Sequence, residues 1–168
     1  MKVLIWPILT LLLYTLQTSW FLFFNTNQAP DFLLVLVLLV ALETGTAGGA
    51  FAGFVVGLLQ DIVTFTFFGY HLVTRLAIGI VVGMLRGNIF KDSLPTFLVL
   101  VALTSALLKG SSVAFLMLYQ KEIFNLWPIL YSTLKYIGWN ILIAVPMWIA
   151  TKVVVEVLRR REHRYYEF

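Results

Sequence analysis

Cysteine is absent from the 168 residues, which excludes a disulfide framework, a thiolate metal site and a thiol nucleophile. Histidine is nearly absent too, with only His71 and His163, far apart in the chain. Charge is scarce: Asp, Glu, Lys and Arg make up 12% of the residues, about half the usual share of roughly 25%. What fills the space is apolar. Hydrophobic residues reach 61%, and mean hydropathy is +0.94. On the count that leaves out Tyr and takes in Gly, the share is about 63%, against roughly 45–50% for soluble domains. A soluble globule of this size has no interior large enough for so much apolar surface. The composition excludes a soluble enzyme, a disordered chain and a nucleic-acid module, and leaves an integral membrane protein. The net charge of +4 does not signal nucleic acid, because Arg159, Arg160, Arg161 and Arg164 supply four positives in one terminal cluster.

The hydropathy pattern predicts an all-α, polytopic six-helix bundle forming a single integral membrane domain over 1–168. The spans are expected at about 3–24, 30–43, 46–66, 70–86, 94–119 and 127–155, with a basic polar tail at 156–168. The first run, about 33 Å long as a helix, is long enough to cross hydrocarbon and too long for a signal peptide. Pro30 and Asp31 open the second segment, which at roughly 21 Å is short for a span and leaves a re-entrant piece as the alternative. A polar interruption, Lys109-Gly110-Ser111-Ser112, falls in the fifth segment, and Pro146 is expected to kink the sixth. Six spans with the N-terminus inside put Lys2, Arg86, Lys91 and the tail arginines on the cytoplasmic side and leave only Lys121 outside. Five spans would split the positives, so six spans with both termini cytoplasmic is the better reading.

Two glycine rows stand out. Gly45, Gly49, Gly53 and Gly57 recur every four residues in the third segment, as do Gly79, Gly83 and Gly87 in the fourth. Small residues at this spacing let helix backbones approach closely in lipid. A hairpin turning near Phe68 sets Gly57 against Gly79, Gly53 against Gly83 and Gly49 against Gly87. The same register pairs Asp61 with Arg75.

Ionisable groups inside spans are costly and face partners or cavities. Asp31, Asp61, Arg75, Lys109 and Lys135 fall at similar depth in the outer half of the expected bundle. They suggest an outward polar pocket or partner groove, and a purely structural network with snorkelling lysines explains the same residues. No serine–histidine arrangement or metal constellation accompanies them, so no catalytic residue, metal or cofactor is expected. Glu43 reads as a solvated helix end. Trp127 fits an interfacial belt, while Trp6, Trp20, Trp139 and Trp148 read as packed or lipid-facing.

The stretch from Pro30 to Phe90 carries a pattern. Pro30-Asp31 precedes a leucine-rich run, a Gly-rich segment leads into Gly57-Leu58-Leu59-Gln60-Asp61, and Gly69 follows eight residues later, then His71-Leu72. In these features the chain resembles the MreD family of bacterial rod shape-determining proteins; length, six spans and the short basic tail also fit. The resemblance implies a non-enzymatic inner-membrane scaffold or regulator of the elongation complex, supporting lateral peptidoglycan synthesis and cell shape. The partners it implies are an MreC-like single-span periplasmic protein, the elongation glycosyltransferase and transpeptidase, and the MreB actin-like filament, with the bilayer as solvent and no nucleic acid. The family is also similar in fold to substrate-binding subunits of energy-coupling-factor transporters. That likeness keeps an outward-facing vitamin-binding subunit as the alternative function.

Overall fold

The computed structural model describes residues 10–20, 29–64, 68–87, 93–120 and 126–165, of which 118–120 and 157–165 by backbone alone. Every regular element is a helix: α1 over 10–20, α2 Phe32–Thr44, α3 Thr46–Thr64, α4 Tyr70–Leu85, α5 Leu94–Gln120 and α6 Leu126–Tyr165. Three helices contain stretches long and apolar enough to cross a membrane, Thr46–Thr64, Leu94–Met117 and Leu126–Glu156, while α2 and α4 are shorter apolar helices. The expected turn after the first span, and the loops holding Lys91 and Lys121, lie outside the described residues, as do Lys2 and Trp6. The side chains of His163 and the tail arginines do too.

The shortest of the fully described helices is the centre of the bundle. All ten residues from Leu33 to Leu42 are buried. A helix apolar around its whole circumference has no solvent face to offer and is enclosed by its neighbours. One side of α2, with Leu34, Val35, Leu38 and Leu42, packs on Val82 of α4, Phe97 and Val101 of α5, and Ile143 and Ala144 of α6. The other side, with Leu33, Val37 and Val40, packs on Leu13 of α1 and on Ala52 and Val56 of α3. The sequence sets both ends of α2. Asp31 caps the start, its carboxylate accepting from the Leu34 N–H at 2.8 Å. Gly45 stops the helix at φ +83°, a conformation that suits glycine, and Thr46 immediately begins α3.

The polar residues expected to interrupt the fifth segment do not do so. The Ser111 and Ser112 hydroxyls donate to the carbonyls of Leu108 and Lys109 at 2.9 and 2.8 Å, satisfying themselves within the helix, and α5 is continuous over 27 residues. α6 passes through Pro146 as one helix of 40 residues. It continues to Tyr165, ten residues beyond the expected end of the sixth span. No Gly or Pro follows Pro146 to stop it, and the last turns are rich in strong helix formers.

α3 and α4 make the closest approach, and glycine permits it. A Cβ on Gly53 would lie 2.9 Å from the Leu76 Cα, one on Gly57 2.6 Å from the Leu72 Cα, and one on Gly83 2.6 Å from the Thr46 Cα. Gly49 and Gly79 face each other backbone to backbone. The partners differ from the expected ones: Gly79 meets Gly49, not Gly57, a slip of eight residues or about 12 Å. A row repeating every four residues looks the same after such a slip, so glycine spacing alone does not fix register. Two glycines leave the row. Gly45 is the C-cap of α2, beside the Arg86 side chain, and Gly87 has nothing within 4 Å of where its Cβ would be.

Candidate functional site

The register is set by Asp61. Its carboxylate, buried near the end of α3, accepts from the backbone N–H groups of Gly69, His71 and Leu72 at 2.9, 3.0 and 2.9 Å. The first N–H groups of a helix have no partner within it, and Gly69 has no side chain to supply one. Asp61 therefore acts as a cap delivered from the preceding helix, and α3 runs past the start of α4. The expected Asp61–Arg75 pair does not form, because Asp61 is spent on backbone N–H groups.

Arg75 pairs instead with Asp31, across 44 residues, through Nη2 and Oδ2, both side chains being almost fully buried. Asp31 is the hub of the interior. One oxygen accepts from Leu34 N–H, the other from Arg75 and from the Tyr136 hydroxyl at 2.8 Å. Its own N–H donates to Asn140 Oδ1 at 2.7 Å, and the Asn140 amide donates to Ser105 Oγ at 2.9 Å. One N-cap residue thus connects α2 to α4 and α6 directly and to α5 through Asn140. Asn140 and Ser105 are fully buried and bonded to each other, and hydrogen bonds of such a network are strong in a low dielectric, while Arg75 Nε and Nη1 find no protein acceptor among the described residues.

Beside this hub is a cavity of about 180 Å³, lined by Asp31, Gln60, Tyr70, His71, Arg75, Leu108, Lys109, Ser112 and Tyr136. Its floor lies where α2 and α4 begin. Two longer helices rise past it. The Tyr70 hydroxyl, on the first residue of α4, reaches Ser111 Oγ at 2.9 Å, and α5 continues to Gln120, about 13 Å further. α6 begins ten residues before Tyr136, about 15 Å away on the same side. The cavity is thus a recess below the ends of α5 and α6, within their apolar lengths. Lys109 lies over the Tyr136 ring, 5.9 Å from its centroid.

Of the five ionisable residues expected together, the structure brings Asp31, Arg75 and Lys109 to the cavity. Asp61 is turned to the α4 backbone, and Lys135, next to Tyr136 on α6, is not part of the lining. The residues missed were the uncharged ones: Gln60, Tyr70, Ser105, Ser112, Tyr136 and Asn140. A signal existed, since Ser132, Tyr136 and Asn140 repeat every four residues along one face of α6. At the opposite end, Glu43 is not simply solvated: Lys152 Nζ donates to it at 2.8 Å while lying 5.8 Å from the Trp148 ring centroid. Trp20 packs edge-on against Trp139 and Phe32 at centroid distances of 5.4 and 5.8 Å, and Trp127 is largely exposed.

Comparison with known families finds a match to the family described as rod shape-determining protein MreD, over residues 1–157. The chain belongs to the MreD family. That membership, with three helices apolar and long enough to span, makes it a rod shape-determining protein located in the membrane. No curated protein and no solved structure matches the chain, so the likeness to energy-coupling-factor transporter subunits has no structural neighbour behind it.

Proposed function

We propose that this chain is a non-enzymatic scaffold of the cell-elongation machinery. In this reading it crosses the inner membrane six times with both termini cytoplasmic. It holds an MreC-like periplasmic partner, and through it the elongation glycosyltransferase and transpeptidase, in register with the MreB filament. The observation that carries this is the family match over residues 1–157. The interior supports it. The Asp31 carboxylate is committed to three donors that tie helices together, a use that builds a rigid frame. Surfaces available to partners include the apolar faces of α5 and α6, with Leu103, Leu107, Leu130 and Leu134 each more than half exposed.

The transporter reading calls for a vitamin-sized pocket. The recess of about 180 Å³ falls below the roughly 300–1,000 Å³ of sites that enclose drug-sized ligands, which favours the scaffold. Complementation tests the choice. Expressed in a rod-shaped bacterium depleted of its own family member, the chain should restore rod shape and co-purify with the MreC-like protein. Round cells despite normal membrane levels, or co-purification with an ATPase module and a bound vitamin, would refute the scaffold. Reporter fusions test the topology: Asn27, Thr64 and Glu122 should report outside, Lys91 and Phe168 inside. A tail reporting outside would refute six spans.

A further inference from the structure

The cavity beside Asp31 holds more hydrogen-bonding capacity than the protein uses. Arg75 is 2% exposed, and Asp31 takes only its Nη2. No protein group among the described residues meets its Nε or Nη1. Gln60, 6% exposed and on the same wall, has no protein donor at Oε1. Buried guanidinium N–H groups without acceptors are costly, because a charged donor left unmet forfeits its full solvation. The charges lining the cavity do not cancel either. Asp31 offsets Arg75, while Lys109 has no carboxylate partner among the described residues and contributes only its contact with the Tyr136 ring.

We propose that this recess binds one small oxyanion, a phosphate or carboxylate group, seated between Arg75 and Lys109 and oriented by Gln60. Charge favours the class: among the lining side chains Arg75 and Lys109 face one carboxylate, Asp31, while Asp61, outside the lining, is held by the backbone N–H groups of Gly69, His71 and Leu72. Donor chemistry agrees, since Arg75 keeps donors at Nε and Nη1 that no protein acceptor among the described residues uses. Gln60 can offer its oxygen to a hydroxyl on the bound group or, with its amide turned over, an NH2 to the anion itself. Volume limits the size, since about 180 Å³ accommodates an acidic headgroup and not a large cofactor. The position suits two sources of the same chemistry. The recess lies beneath the ends of α5 and α6, where a lipid headgroup can sink between helices or a soluble anion can enter from water. Binding of this kind goes beyond the scaffold reading and does not rest on it.

Two arms of one experiment separate the sources. The full-length protein, purified in mild detergent, is delipidated and titrated with inorganic phosphate, and line broadening in ³¹P NMR is followed. In parallel, the protein in nanodiscs of phosphatidylglycerol and phosphatidylcholine is released into native mass spectrometry and retained lipid is counted. One saturable equivalent in either arm is expected, the arm identifying the source. Lys109→Met should weaken it about tenfold, the loss of one charge-assisted contact, with no change in thermal unfolding, and Lys109→Arg should restore it. Arg75→Gln should abolish it; because that change also breaks the pair with Asp31, the lysine variants are the deciding ones. Absence of binding in both arms would overturn the proposal, as would binding unaffected by Lys109→Met. Occupancy seen only with a protein partner present would also overturn it, in favour of an acidic segment of that partner.

Discussion

Replacing Asp31 by Asn removes a charge and almost nothing else. Asparagine is as good an N-cap as aspartate, so the Leu34 N–H keeps its acceptor and α2 keeps its start. In that orientation, however, the new amide NH2 occupies the place of Oδ2, facing Arg75 Nη2 and the Tyr136 hydroxyl with donors. Arg75, 2% exposed, then has no carboxylate partner. Breaking a buried pair by removing one member costs about 3–5 kcal/mol, because the survivor is left uncompensated. The reverse change, Arg75→Met, should cost less. The Asp31 carboxylate would keep Leu34 N–H and the Tyr136 hydroxyl, whereas Arg75 without Asp31 keeps no acceptor among the described residues. The double variant carries neither charge, and replacing a whole buried pair by neutral groups is often close to neutral. We therefore expect Asp31→Asn to be the worst of the three and the coupling between the two positions to exceed about 2 kcal/mol. Equilibrium unfolding in bicelles, followed by tryptophan fluorescence, measures all four corners of the cycle. Coupling below about 0.5 kcal/mol, the level of independent sites, would refute the assignment of Asp31 as the partner of Arg75. Asp61→Asn crossed with Arg75→Met should couple more weakly, since the Asp61 carboxylate is held by backbone N–H groups.

Gly53→Ala should destabilise by about 1–3 kcal/mol, because the added methyl presses on the Arg75 and Leu76 backbone, whereas Gly110→Ala, with open space at its Cβ, should be neutral or stabilise by about 0.5–1 kcal/mol. Thermal unfolding of the two variants in one detergent makes the comparison, and equal effects would mean that α3 and α4 are not in backbone contact. Asp61→Ala leaves three N–H groups at the start of α4 without their acceptor and should cost about 1–3 kcal/mol, with faster hydrogen exchange confined to residues 69–72. Unchanged exchange there would remove Asp61 as the cap. Asn140→Leu deprives both Asp31 N–H and Ser105 of a partner and should lower unfolding stability by about 1–3 kcal/mol, while Asn140→Leu combined with Ser105→Ala should recover part of that loss.

Hydropathy carried most of the architecture. Helices α2 to α5 follow the apolar runs of the sequence, which polar loops separate, and α6 runs ten residues past its own. Register was not legible. The glycines of α3 and α4 announce that two helices meet, but a period of four fits several alignments equally well. The deciding contact, from Asp61 to backbone N–H groups, leaves no complementary side chain in the sequence to find. The pairing of Asp61 with Arg75 followed from that wrong register. Asp31 could be recognised as a helix start and as an ionisable group near hydrocarbon, yet its partner lies 44 residues away, beyond any local rule. The uncharged members of the network were the hardest to see, since Tyr136 and Asn140 resemble incidental polar residues until a carboxylate is placed beside them.

That carboxylate answers a problem peculiar to this fold. In lipid, burying leucine against leucine gives little preference for one helix arrangement over another, because the acyl chains are equally apolar. A helix such as α2, apolar on every side, can rotate or slide with small cost in packing. Its one polar end removes that freedom. With Asp31 held by Arg75, Tyr136 and, through its N–H, Asn140, any rotation of α2 breaks charged contacts in a medium that offers no replacement. At its other end, Gly45 joins α2 directly to α3, whose depth against α4 is fixed by Asp61. Fixing the central helix at both ends fixes the helices packed around it. The apolar faces of α5 and α6 then stand at one defined angle to the central helix, which the scaffold proposed above would need for docking other membrane components.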